Sequence, residues 1–270
     1  MLFKDYIIQE NWESFTQEEH NLWTFLFERQ LSIFPGRVVQ EHVDSLKTLG
    51  ISKDRIPKFH EISSLLKEKT GWEVVPVSGL VPDSVFFQLL NNRQFPSTCF
   101  LRKPHQIDYL QEPDIFHDLF GHIPLLVLPT FADYMEAFSK IALKALEIGE
   151  VKRATRLYWF TIEFGLFQTP KTNGLRTYGA GIVSSYKETI YCVEDAKPNR
   201  LPFSLERVMR TDYRIDDLQQ TYFVIDSYEH LFEETLQDHG ALLERISKLP
   251  DIPLGALLKG EKNIPPNDVT

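Results

Sequence analysis

Cysteine is nearly absent: Cys99 and Cys192 are the two in 270 residues, and they stand in no metal-type or redox-type spacing. That leaves no disulfide framework and suits a reducing compartment. Basic charge is short as well, with 29 Lys and Arg against 38 Asp and Glu, a formal net charge of −9. An acidic balance argues against nucleic acid or an anionic membrane surface as partner. No apolar run approaches the roughly 20 residues that a membrane-spanning helix needs. The opening stretch Met1–Glu10 has no signal-peptide pattern. Repeats, low-complexity tracts and linkers are also missing. What remains is a cytoplasmic soluble protein, and the 43% hydrophobic content is enough for one substantial core.

What is present is mostly helical pattern. Thr16 and Glu19 form a capping box ahead of Leu22, Trp23, Leu26, Phe27 and Leu31 at helical spacing. Further helices are predicted from Pro82 through Leu90, over Thr130–Ile148 and over Val151–Phe167, with another opening at Ser184. Asp226 or Ser227 caps a last helix reaching about Lys248. Trp72–Val77, Ser97–Arg102 and Thr221–Ile225 read as short extended pieces. Residues 169–174 read as a turn and Lys197–Pro202 as a loop. The expectation is a mainly α fold with a few short β-strands. It divides into a leader over residues 1–20, a catalytic domain over 21–248 and a tail over 249–270. The tail carries Pro250, Pro253, Pro265 and Pro266 and is expected to be loosely packed.

The chemistry concentrates in Pro113–Pro124, which places His117 and His122 five residues apart in a short helical segment. Pro113 suits the first helical position and Asp114 the positive helix end. On a regular helix that offset sets the rings about 140° apart, too wide for one narrow face unless the helix loosens at Gly121. Two readings stand side by side: two ordinary histidines, or two metal ligands. The zinc-peptidase pattern, with histidines four apart and a glutamate between them, is absent. A third group is Glu163, the one carboxylate in the apolar run Leu157–Phe167. Buried there, it must pair, bind metal or hold a proton. It either forms an ion pair with Arg156 or Arg176, or joins the histidines in a two-histidine, one-carboxylate face.

Three blocks, Glu112–Pro124, Tyr158–Gly165 and Tyr178–Ser185, resemble the signatures of the pterin-dependent aromatic amino acid hydroxylases in order and spacing. The match runs from about Trp23 to about Ile246 and is closest to the short, single-domain bacterial members that act on phenylalanine. The resemblance implies that family's catalytic-domain fold and the conversion of L-phenylalanine to L-tyrosine with O₂. It implies Fe(II) on His117, His122 and Glu163, and tetrahydrobiopterin or a related reduced pterin as cofactor. Arg102 would take the amino acid's carboxylate, where a lone arginine otherwise reads as a solvated charge. Pro113, Trp159, Phe164, Gly181 and Ser184 would line the substrate. By pattern alone, Trp159 and Phe164 read as core and Ser184 as a cap.

Tyr158 and Asp118 would stand near the iron as catalytic residues. Asp118 replaces the glutamate of animal members and, with its shorter reach, would make contact through water. Gly79, Leu80, Val81, Asp83 and Phe86 would form the pterin loop, although Pro82 and Asp83 depart from many animal members. The partners implied are small molecules (L-phenylalanine, O₂ and the reduced pterin), with no nucleic acid and no membrane. No heptad helix follows the core, so a monomer or homodimer is expected. Three alternatives remain: the same chemistry on tryptophan or tyrosine, a zinc hydrolase on the same ligands, or a binding protein with a structural metal.

Overall fold

The computed structural model describes residues 3–108, 110–172 and 174–268. The outermost residues of the expected leader and tail, and Asn173 of the expected turn, lie outside it. Helices form where the sequence carries start signals. Thr16 caps α1 (Gln17–Leu31) through its side chain, and Glu19 returns the bond to the Thr16 backbone. α2 (Gln40–Thr48) and α3 (Phe59–Thr70) follow, and α3 ends at Gly71 in the left-handed conformation. β1 (Glu73–Val77) and β2 (Gln94–Thr98) pair in parallel with α4 (Asp83–Asn91) as their crossover.

The long α5 (Pro129–Glu147) buries Phe131, Tyr134, Phe138, Ile141 and Ala145 along one side. α6 (Val151–Tyr158) packs back against it. The expected helix Val151–Phe167 does not run through. It ends at Tyr158, widens by one turn, and passes into β3 (Gly165–Phe167). β4 (Arg176–Thr177) leads into α7 (Ala180–Val183) and α8 (Tyr186–Glu194). The cap of α8 is Ser185, not Ser184, because the Ser185 hydroxyl accepts the Glu188 N–H.

The expected loop Lys197–Pro202 contains β5 (Asn199–Pro202), drawn into a sheet ordered β4-β3-β6-β5, where β6 is Thr221–Ile225. α9 (Leu205–Arg210) lies between β5 and β6. The last expected helix is two: α10 (Tyr228–Glu233), capped by Ser227, and α11 (His239–Ser247), capped by Asp238. A large apolar core joins most of these elements, with two smaller clusters beside it, and Trp23, Phe116, Phe120, Phe138 and Phe160 are all essentially buried within the large one.

The described part of the tail is not loose. The Asp251 carboxylate accepts from Arg153 and Arg156, and Glu261 pairs with Arg207 at 2.6 Å. The Asn267 side chain bonds the Leu175 backbone twice, at 2.6 and 3.0 Å. Proline removes backbone donors, so apolar patterning gave no sign of order that polar side chains create.

Candidate metal centre

The two histidines reach one point because the backbone there is not a regular α-helix. His117–His122 is a π-helical turn in which Ile123 N–H donates to Asp118 C=O, five residues back, at 3.3 Å. Widening to that spacing swings positions five apart toward a common face. The turn packs on α7 so closely that a Cβ on Gly121 would lie 2.9 Å from the Ala180 carbonyl oxygen. A second π-helical turn, Trp159–Glu163, delivers the carboxylate, with Phe164 N–H donating to Trp159 C=O at 2.8 Å.

The ligand atoms of His117, His122 and Glu163 lie within 4.8 Å of one another. His122 Nε2 is 3.0 Å from His117 Nε2 and 3.1 Å from Glu163 Oε1, and His117 Nε2 is 3.7 Å from Glu163 Oε2. Arg156, a possible partner for Glu163 on sequence grounds, instead pairs with Asp212 and Asp251.

Ser184 settles the tautomer of His117. Its hydroxyl donates to Ala180 C=O at 2.8 Å and stands 2.9 Å from His117 Nδ1. With its hydrogen committed, Ser184 Oγ accepts from Nδ1–H, so the Nε2 lone pair faces the cluster. Two imidazole lone pairs and a carboxylate converging in a buried space fit a bound cation. Two imidazoles and one carboxylate are the donor set that a non-haem iron would take.

The electrostatics carry the same signature. Burial pushes the Glu163 carboxyl upward, but His122 and His117 outweigh burial and hold it well below the usual carboxylate range. Burial opposes charge on His117, yet Glu163, then Asp118 and Asp114, raise its pKa. The Tyr158 phenol is pushed far up by burial and then by Glu163 and Asp118, which keeps it neutral.

His117 and Glu163 open onto a cavity of about 500 Å³ that Arg102, Pro113, Trp159, Phe164, Gly181 and Ser184 also line. Arg102 is buried, not solvated. Its Nη2 and Nε donate to the two oxygens of Asp114 at 2.8 and 2.9 Å, and its Nη1 to Ile107 C=O at 3.3 Å. Trp159 stacks between Tyr213, with centroids 4.3 Å apart, and Phe164, at 4.6 Å. Its indole N–H donates to Gln219 Oε1 at 3.0 Å. A side chain on Gly181 would come 2.9 Å from Glu163 Oε2 and 3.0 Å from the Phe164 ring.

Asp118 is buried, and its Oδ2 accepts directly from Ser97 Oγ, Thr98 N–H and Thr98 Oγ1 at 2.8 to 3.2 Å. The residue next to the first histidine is thereby tied to the end of β2. Phe86 reaches the centre through Tyr158, with ring centroids 5.5 Å apart, and Tyr158 lies 6.1 Å from the His122 ring. Gly79, Leu80 and Val81 sit on the β1–α4 connection and Asp83 opens α4, all outside the cavity wall, and Leu80 is exposed.

Sequence reasoning missed three residues here, Tyr213, Gln219 and Glu188, and gave Asp114 only a favourable charge at the helix end. Asp114 is the helix cap, since its Oδ1 accepts His117 N–H at 3.0 Å while also gripping Arg102. Pro113 therefore precedes the cap and is not the first helical residue. The aspartate three positions before His117 was the available signal. Tyr213, Gln219 and Glu188 enter from chain with no periodic pattern or from an ordinary helix, and gave none.

A family model described as biopterin-dependent aromatic amino acid hydroxylase matches residues 11–250. The phenylalanine-4-hydroxylase of Caulobacter vibrioides is 52% identical over 95% of this chain and 87% of its own length. That of Ralstonia nicotianae is 48% identical over 95% and 82%. Among solved structures, Chromobacterium violaceum phenylalanine hydroxylase with bound oxidised Fe(III) superposes with a TM-score of 0.92. It shares 46% identity and covers 97% of this chain and 94% of that one. The cobalt-bound form of the same enzyme gives 0.93.

Proposed function

The chain belongs to the biopterin-dependent aromatic amino acid hydroxylases, and on that footing we propose that His117, His122 and Glu163 hold its catalytic iron as Fe(II). The reaction is hydroxylation of L-phenylalanine to L-tyrosine with O₂, at the expense of tetrahydrobiopterin or a related reduced pterin. The observation that carries the assignment is the convergence of three ligand atoms within 4.8 Å on the wall of a cavity with an aromatic stack. Iron and pterin together supply the oxidising chemistry.

The protein's own contribution is geometric. Ser184 keeps the His117 proton on Nδ1, so Nε2 stays a ligand atom. Trp159, fixed by Gln219, Tyr213 and Phe164, lines the aromatic wall against which the substrate ring rests. Arg102, locked in place by Asp114, presents positive charge for the substrate carboxylate. Pro113, Gly181 and Ser184 complete that wall. Asp118 braces the ligand turn against β2, and neutral Tyr158 fills the space between His122 and Phe86. We assign pterin to the side of Phe86 and the Gly79–Asp83 loop, including Leu80 and Val81. Family membership displaces the zinc-hydrolase and structural-metal alternatives.

No described helix is long and apolar enough to cross a membrane. We place the enzyme in the cytoplasm as a monomer or homodimer acting on small molecules. The test is tyrosine formation from L-phenylalanine by the purified protein with Fe(II), O₂ and reduced pterin, each omitted in turn. Product only with all three is expected. Equal product without iron, or none from any aromatic amino acid by iron-loaded protein, would overturn the reading.

A further inference from the structure

One wall of the cavity carries a buried carboxylate with no cation beside it among the described residues. Glu188 lies on α8, one turn beyond Ser184, is 5% exposed, and lines the same cavity as Arg102 and Trp159. Its Oε1 accepts Gln219 N–H at 3.1 Å and the Tyr222 hydroxyl. Its Oε2 accepts no hydrogen bond from the described residues. The groups that face it are Tyr222 from β6, Asp217 and Gln219 from the preceding loop, and Tyr191 and Cys192 from its own helix. None of them is a cation. Arg200, behind Cys192, is engaged by the carbonyls of Cys192 and Asp195. Lys187, exposed at the rim, acts on Asp108.

A buried carboxylate in this position either keeps its proton or awaits a positive partner. Burial, and the nearby Asp217, push its pKa up to about 7. Resting on the functional reading above, we propose that Glu188 receives the α-ammonium group of the amino-acid substrate. Arg102 then serves the carboxylate end and Glu188 the amino end, while the ring lies against Trp159. The ammonium supplies the missing cation and donates to the free Oε2. Substrate binding thereby favours ionised Glu188, and its proton passes to solvent. A neutral amino acid is selected over a compound with the same ring and carboxylate but no amine.

The test is calorimetric binding to the iron-loaded enzyme of L-phenylalanine and of 3-phenylpropanoate, its analogue without the amine. Glu188→Gln keeps the acceptor for Tyr222 and Gln219 and removes only the charge. It should weaken L-phenylalanine by about ten-fold or more and 3-phenylpropanoate by less than about two-fold. The wild-type enzyme supplies a second measurement, which needs no variant. At pH 7, heats in buffers of different ionisation enthalpy should show about half a proton released per L-phenylalanine. None should be released with 3-phenylpropanoate.

Equal loss for both ligands in Glu188→Gln would overturn the proposal, because Glu188 would then act through Gln219 on pocket shape. Unchanged affinity for L-phenylalanine, or no proton release on its binding, would also overturn it. Failure of the wild-type enzyme to bind L-phenylalanine would strike the functional reading itself and take this inference with it.

Discussion

Glu163 and Glu188 are the same residue type on the wall of one cavity, and the protein drives them in opposite directions. Burial favours the protonated form of both. Glu163 ends well below the usual range because two histidines face it, while Glu188 is pushed up to about 7 because no cation does. Burial raises the stakes, and the neighbours decide the outcome. A third carboxylate, Asp114, shows the closed case: fully buried, and paired on both oxygens with Arg102. The cavity wall thus carries one carboxylate poised for a metal and one poised for a cation from outside, while Asp114, buried behind Arg102, is already satisfied.

The largest effect that would break this contrast is removal of Glu163. Glu163→Ala, or His117→Ala, should lose stoichiometric iron and turnover together, beyond the about 10- to 100-fold cost of losing a supporting group. Metal analysis and tyrosine formation check it, and unchanged iron content in either variant would sink the ligand assignment. Next comes the closed pair. Asp114→Asn leaves the Arg102 charge buried without its partner and should cost about 3–5 kcal/mol of folding stability, read by denaturant unfolding. A loss below about 1 kcal/mol would mean that Arg102 finds water or another acceptor.

Glu188 has a stability signature of its own. Its folded pKa lies above the unfolded value, so the native state binds the extra proton. Stability contributed by that proton is present below about pH 4.5, falls as pH rises, and levels off above about pH 7. From pH 4.5 to pH 7 the fall amounts to about 3 kcal/mol. The difference between wild type and Glu188→Gln across that range isolates it, and parallel pH profiles would contradict the assigned environment. The smallest effect is at the support of His117. Ser184→Ala removes the acceptor for Nδ1–H and should weaken metal binding about 10- to 100-fold. Competition with a chelator measures this directly, and unchanged affinity would show that water replaces the hydroxyl.

Legibility followed the kind of signal each feature carries. His117, His122 and Glu163 were readable as candidates: spacing left an ordinary histidine pair and an ion pair of Glu163 with Arg156 or Arg176 open, and the family resemblance joined the three. The 140° problem was readable too, as a demand that the helix loosen, although not as a π-helical turn. The helix start was misplaced by two residues, since Pro113 read as its first residue whereas Asp114 is the cap and Ile115 the first helical residue. Ser184 looked like the start of a helix, whereas its neighbour Ser185 caps α8 and Ser184 turns to His117. The tail was misread because ion pairs such as Arg207–Glu261 leave no periodic trace.

Local pattern determined most of the helices, the strands β1 and β6, the acidic net charge and the cost of burying Glu163. All of these follow from propensity, capping and the cost of burying charge within a few residues of chain. Tertiary structure alone decided that both ligand helices widen by a turn and that Ser184 fixes a tautomer from 67 residues away. It alone left Glu188 without a cation while Glu163 faces two histidines. The physical reason is that a side chain's state is set by whatever lies within a few ångströms. In a folded chain those neighbours come from distant positions whose approach no local pattern encodes.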